Sequence, residues 1–289
     1  MEGLAVIGVV LVLIVAGYLG VSAVLRRIPA ASLRLPTGPI PDPWHAIVEQ
    51  NVALARGLTS DERERLLRLV QVFLADKHFE GCGGLTLTEE MKVTIAAEAS
   101  LLLLHLEGQC YPTLRTVLVY PHGFVPKLAR SPGTGEVAPP PARLMGESWG
   151  DGVVVISWDE AVRGARNPGD GDNVVLHEFA HQLDAEDGVS DGAPILSPSA
   201  LRTWGGVLSR EYERLRQDAA HDRRSALDDY GATNEAEFFA VATETFFEKP
   251  VQLEREHPAL YAQLQQFYRQ DPARRALSPP APAPPPVAP

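Results

Sequence analysis

The sequence predicts a helix-rich α+β domain with a small mixed sheet, preceded by one N-terminal transmembrane helix. Three observations carry that expectation. Residues 3–25 form an uncharged apolar run, several later segments place apolar residues at helical spacing, and two short β-branched runs read as strands.

The first run, GLAVIGVVLVLIVAGYLGVSAVL, would extend about 34 Å as a helix at ~1.5 Å per residue, enough to cross a bilayer core. Only Glu2 precedes it, and Arg26 and Arg27 follow it. A cleavable signal peptide would begin with positive charge and end in a small-residue cleavage site, so the run reads as an uncleaved anchor. Arginines stay on the cytoplasmic side. The expectation is a single-pass protein of a bacterial inner membrane, its main domain facing the cytoplasm. Residues 28–43, with Pro29, Pro36, Pro39, Pro41 and Pro43, read as an extended linker.

The domain is expected over residues 44–271. Thr59 and Glu62 form a capping box ahead of ERERLLRLVQVFLADK, whose apolar residues fall at helical spacing. TEEMKVTIAAEASLLLLHL at 88–106 reads as a second, buried helix. LRTVLVY at 114–120 is a strand ended by Pro121. SPGTGEVAPPPA at 131–142 has no periodicity and reads as a loop. A second strand, VVVISW, occupies 153–158, and a polar loop over 159–172 leads into a further helix. Helical stretches follow at 200–217, 235–248 and 251–270. Residues 272–289 are so rich in proline that they cannot join a core, and read as a solvated tail.

Composition narrows the function. The chain is 45% hydrophobic and 22% charged, as expected of a packed domain. Its net charge of −11 argues against direct nucleic-acid binding, which wants a basic surface. Two cysteines, Cys82 and Cys110, are too few for a disulfide scaffold and read as reduced thiols.

The chemistry concentrates at HEFAH, residues 177–181, inside NVVLHEFAHQLD. Histidines at i and i+4 share one helix face, a turn apart, so both imidazoles can reach one Zn²⁺. Glu178, beside the first histidine, can accept a proton from water and pass it to a leaving amine. Val174, Val175, Leu176, Phe179, Ala180 and Leu183 mark a buried helix, which Asp172 or Asn173 can cap and beyond which Gly188 stands. A buried helix carrying two histidines and a glutamate needs a reason for them.

A third protein ligand is required. Position 187 is Asp, so a histidine six residues after His181 is excluded, and the candidates are Glu211, Glu213, Glu235, Glu237, Glu244 and Glu248. Glu237 and Glu244 are seven apart on one helix face, and either could point at the metal, whereas Glu235 points elsewhere. Asp184 or Glu244 could orient a ligand histidine from behind. The strand at 153–158 could pair with an extended peptide. His45, His78, His105, His122, His221 and His257 lack ligand spacing and read as structural or exposed.

YGATNEAEFFA at 230–240, combined with HEFAH, resembles the zinc-site helices of anthrax lethal factor and of the Mlc titration factor A peptidases. The second likeness spans most of the chain: Pro43-Trp44, VLVYPHGFV at 117–125, GESW at 146–149, VVISWDE at 154–160, HEFAHQLD, EFFAVATETFF and QFYRQDP at 266–272. The resemblance implies a zincin-type zinc metallopeptidase with His177, His181 and Glu237 as metal ligands. It also implies Glu178 as base and Tyr230 as a hydrogen-bond donor to the oxyanion. Position 241 is Val, so the acidic partner that thermolysin-type enzymes carry four residues after the ligand glutamate is missing. The implied partners are a peptide or protein substrate or, as an alternative, a transcriptional regulator of the Mlc type that the protein binds and sequesters.

Overall fold

This computed structural model describes residues 34–123, 148–149 and 152–277. The apolar run at 3–25, the loop at 131–142 and residues 278–289 lie outside them; the first part of the tail expected over 272–289 is instead helical at Pro272–Leu277, with Pro272 and Ala273 buried. By contact the chain divides into two compact units, Met1–Arg34 with Glu107–Gln109, and Leu35–Leu106 with Cys110–Pro289. Every element named below belongs to the second.

Helix α1 (Asp42–Asn51) starts with Pro43 in its first turn, where a missing N–H costs nothing, so the expected linker gives way to helix at Asp42. Helix α2 (Ser60–Asp76) opens on the expected capping box: the Thr59 hydroxyl takes the Glu62 N–H, and the Glu62 carboxylate takes the Thr59 N–H. Helix α3 (Glu89–Leu102) is buried continuously from Val93 to Leu102, Glu98 included.

Strands β1 (His78–Gly81), β2 (Thr116–Tyr120) and β4 (Val153–Ser157) are parallel, and the two-residue β3 (Ser148–Trp149) joins antiparallel, giving the order β1-β2-β4-β3. In β2 only alternate residues are buried, whereas β4 is buried from Val154 to Ser157, as a central strand must be. The polar stretch after β4 is not a loop. Helix α4 (Trp158–Arg166) occupies it, with Asp159 and Glu160 in the first turn and Arg163 and Arg166 in the last, which suits the helix dipole at both ends.

Helices α5 (Val174–Asp184) and α7 (Glu235–Glu248) pack against each other at the centre, with α3 on the other flank of α5. Both are apolar nearly all round, the signature of core helices. Phe179 of α5 meets Phe73 of α2 and Tyr111, with ring centroids 5.5 Å and 4.9 Å away. Helix α6 (Pro198–Ala220) is amphipathic and covers α7. The expected helix over 251–270 is two, α8 (Pro250–Glu256) and α9 (Pro258–Tyr268), and α10 (Pro272–Leu277) follows; each opens on a proline that cannot continue the helix before it.

No helix among the described residues is long and apolar enough to cross a membrane. The most apolar, α7, has 14 residues, about 21 Å against a ~30 Å bilayer core. The longest, α6, has 23 but is laced with charge. The expected single-pass placement in an inner membrane with a cytoplasm-facing domain is corrected to that extent: no described helix supports it, and the run at 3–25 on which it rested lies outside the described residues.

Phe73 is fully buried and backs α5 through Phe179. We expect Phe73→Ala to cost about 3–5 kcal/mol in urea unfolding; a loss under about 1 kcal/mol would mean that this aromatic contact does not anchor the helix.

Candidate metal centre

Helix α5 owes its position to its first turn. The Asn173 side-chain oxygen caps it by accepting the Leu176 N–H at 3.0 Å. The Asn173 amide donates to Glu98 at 3.0 Å and to Glu248 at 3.1 Å, and its backbone N–H donates to Glu244 Oε2 at 2.7 Å. The Gly171 N–H donates to the other oxygen of Glu248. Three glutamates thus surround the helix N-terminus, and burial keeps two of them, Glu98 and Glu248, largely protonated at neutral pH.

One turn further in, His177 and His181 project together, ring centroids 4.8 Å apart. Glu237, in the first turn of α7, faces them. Its backbone N–H is capped by Asn234, which fixes where the helix begins. The His177 Nε2 lies 3.2 Å from the His181 Nε2 and 3.0 Å from the Glu237 Oε2, and the His181 Nε2 lies 3.3 Å from the same oxygen. This is the one His/Cys/Asp/Glu group among the described residues whose donor atoms converge closely enough to hold a metal ion.

The donor triangle fits one. Ligands about 2.0–2.1 Å from a tetrahedral cation stand about 3.3 Å apart, which is the size of the triangle observed. Two imidazoles and a carboxylate suit a divalent metal of borderline softness and leave the fourth position open.

Glu237 and Glu244, seven apart, both reach His177, but from opposite sides of its ring. Glu244 Oε1 accepts from Nδ1 at 2.7 Å, while Nε2 faces Glu237. That hydrogen bond fixes the tautomer leaving Nε2 for the metal. Asp184 does something else. Its two oxygens accept the Gly192 and Ala193 N–H groups at 3.0 and 2.8 Å, pinning the loop that follows α5. The remaining candidates are occupied elsewhere: Glu211 holds His257 at 2.7 Å, Glu213 pairs with Arg216, Glu248 meets Asn173, and Glu235 is exposed.

Tyr230, in the 3-10 turn Asp229–Ala232 before α7, stands beside the centre. Its ring lies 6.0 Å from that of His177, and its hydroxyl hydrogen-bonds Glu237. Glu178 is buried, and its Oε2 has no hydrogen-bond partner among the described residues.

The electrostatics follow from this crowding. Burial pushes the His177 pKa down, but the charge of Glu244 and the hydrogen bonds that its ring donates to Glu237 and Glu244 outweigh it and hold it well above the ordinary value. Burial would raise Glu237, yet hydrogen bonds from both histidines bring it down to about 2. Burial raises Glu178 and Glu244 despite the neighbouring histidines. Burial and the charge of Glu237 raise the Tyr230 phenol to about 12, so it keeps its proton at neutral pH. Metal binding would displace the histidine protons, which makes loading pH-dependent.

Strand β4 is not a free edge. It is hydrogen-bonded to β2 along its length, but to β3 only at Val153 and Val154, so the expected pairing with a peptide would have residues 155–157 alone to use. The sequence reading also missed the Glu98–Asn173–Glu248 cluster. Its only trace is a lone glutamate inside the apolar run TIAAEASLL.

Comparison with known proteins gives a coherent picture. The model of the glucose-regulated metallo-peptidase M90 family matches residues 26–269. An uncharacterized protein of Synechocystis sp. is 38% identical over 236 residues, 81% of this chain and 86% of that one. Mlc titration factor A of Serratia proteamaculans is 32% identical over 227 residues, 78% of this chain and 86% of its own. The Yersinia pestis protein of the same name is 31% identical over 235 residues, 80% and 86% of the two chains.

Two outcomes are expected from this geometry. Glu244→Gln should weaken metal retention about 10–100-fold in competition with a chromogenic chelator; unchanged retention would leave the His177 contact without a role. Burial pushes Glu98 up to about 8 and Glu248 up to about 9, from 4.5. Groups raised on folding contribute stability that is complete below the unfolded pKa and lost as pH rises through the folded one. The melting temperature should therefore fall from about pH 5 to about pH 9, and less steeply in Glu98→Gln. A wild-type melting temperature that rises over that range contradicts the assignment.

Proposed function

Since this chain belongs to the glucose-regulated metallo-peptidase M90 family, that of the Mlc titration factor A proteins, we propose that it is a zinc-dependent peptidase with a zincin-like domain over residues 44–271. One observation carries the reading. His177, His181 and Glu237 bring three donor atoms within 3.3 Å of one another, beside a buried Glu178 oxygen that no described residue satisfies.

In this reading His177, His181 and Glu237 hold zinc. When bound, the ion supplies Lewis acidity, polarising the scissile carbonyl and acidifying the attacking water. Glu178 accepts the proton of that water at the free oxygen of its carboxylate. Its raised pKa suits the work, because a base poised nearer neutrality returns the proton more readily to the departing amine. Tyr230 keeps its proton, and its hydroxyl, now on Glu237, turns to donate to the oxyanion of the tetrahedral adduct. Glu244 neither touches substrate nor moves a proton to it; it holds the His177 ring in place.

A second reading rests on the relatives' name. Several of them are called Mlc titration factor A, which supports a protein that binds and sequesters a transcriptional regulator of that type. A base beside the metal ligands favours catalysis, because sequestration needs none, and the two activities can share one molecule.

Glu178→Gln should abolish hydrolysis of a mixed fluorogenic peptide library while the chain still carries about one zinc. Tyr230→Phe should lower kcat about 10–100-fold with little change in KM. Removal of zinc by a chelator should stop cleavage, and its return should restore it. Undiminished cleavage by Glu178→Gln would overturn the mechanism.

A further inference from the structure

Two stretches build the surroundings of the metal centre: α5 with the loop after it, and the 3-10 turn with α7. From Asn167 to Leu201, and again from Ser225 to Glu248, the sequence has no lysine or arginine. The same stretches carry exposed carboxylates at Asp187, Asp191, Asp229 and Glu235. None of these four forms an ion pair among the described residues. Asp187 and Asp191 accept only N–H groups of their own loop, from Val189 and Ala193.

Their placement follows from the fold. Asp187 closes the turn that extends α5, six residues past His181. Asp229 precedes Tyr230. Glu235 begins α7, two residues before Glu237. Asp191 adjoins Gly192, and the loop there presses so closely on the start of α7 that a Cβ on Gly192 would stand 2.5 Å from the Glu235 carbonyl oxygen. Asp184 holds the loop in that position from below.

The loop is also apolar where it is exposed. Val189 is 53% accessible and Ile195 is 59% accessible, two of the five large exposed apolar side chains among the described residues. Exposed apolar side chains on a pinned loop beside a reactive centre mark a contact surface. The unsatisfied Glu178 oxygen shows that the centre is built for an incoming group. Uncompensated negative charge around it selects the sign of that group's neighbours.

We propose that the substrate accepted at this centre is a cationic peptide segment. Its lysine or arginine side chains meet Asp187, Asp191, Asp229 and Glu235, and an apolar side chain between them lies on Val189 and Ile195. This rests on the peptidase reading above and specifies its substrate class. Recognition of this kind acts through long-range attraction, so it weakens as salt shortens the screening length.

The test uses the full-length chain loaded with zinc and three fluorescent peptides of equal length. One carries two lysines flanking a leucine, the second has serines in place of the lysines, and the third has glutamates. Binding is measured by anisotropy on Glu178→Gln, and cleavage on the wild type. We expect the lysine peptide to bind roughly tenfold tighter than the glutamate peptide at low salt, with most of that ratio lost in about 0.5 M salt. The combined Asp187→Asn, Asp191→Asn and Glu235→Gln variant should bring the ratio close to one, and Ile195→Ser should weaken all leucine-bearing peptides about equally. Equal binding of the three, tighter binding of the glutamate peptide, or no binding at all overturns the proposal. Discrimination in binding without cleavage by the wild type would sink the catalytic reading and keep the recognition. Cleavage of all three at equal rates would do the reverse.

Discussion

The Glu244 carboxylate is the joint on which the centre depends. One oxygen accepts from the His177 ring, and the other accepts from the backbone N–H of Asn173. A single side chain of α7 therefore sets both the rotation of α5 about its axis and the orientation of its first histidine. Glu237, two turns earlier on the same helix, then faces the histidine pair without further adjustment. Charged hydrogen bonds of this kind are strong in a buried setting, but they demand that every partner be satisfied. At the N-terminus of α5 Asn173 is at once cap, donor to two glutamates and backbone donor to a third, and of that cluster only Glu98 Oε2 keeps no partner among the described residues.

Much of this was legible in the sequence. The capping box at Thr59, the buried helix at 88–106 and the helix at 235–248 follow from spacing and polarity, because period and caps are local properties. The histidine pair was legible for the same reason, since i and i+4 share a face in any α-helix. The choice between Glu237 and Glu244 was not. Seven residues apart on one face, they are equivalent in sequence, and only the packing of α7 on α5 sends one to each side of the His177 ring. The family resemblance points to Glu237, whose Oε2 lies 3.0 and 3.3 Å from the two histidine Nε2 atoms.

The misses have physical causes. Helix α4 was read as loop because its nine residues bury only Ala161, Gly164 and Ala165, too small a set to register as an apolar face. Gly164 is there for closeness, since a Cβ would meet Asn173 and Asp172 at 3.1 Å. The break at Pro258 is visible as a proline, but a continuous apolar pattern masks it, and the helix at Pro272–Leu277 is hidden by the proline-rich composition that follows it. Glu98 is harder still. A charge inside a buried helix says that a partner exists without saying which, and here the partner lies 75 residues away.

Because α5 and α7 are the most buried helices of this unit, their geometry is set by the core and not by an ion. A small zinc module that folds around its metal lives and dies with metal supply. A site set into a finished core escapes that dependence, so an organism could starve such a protein of metal, silence it, and rearm the same molecules later without making new ones.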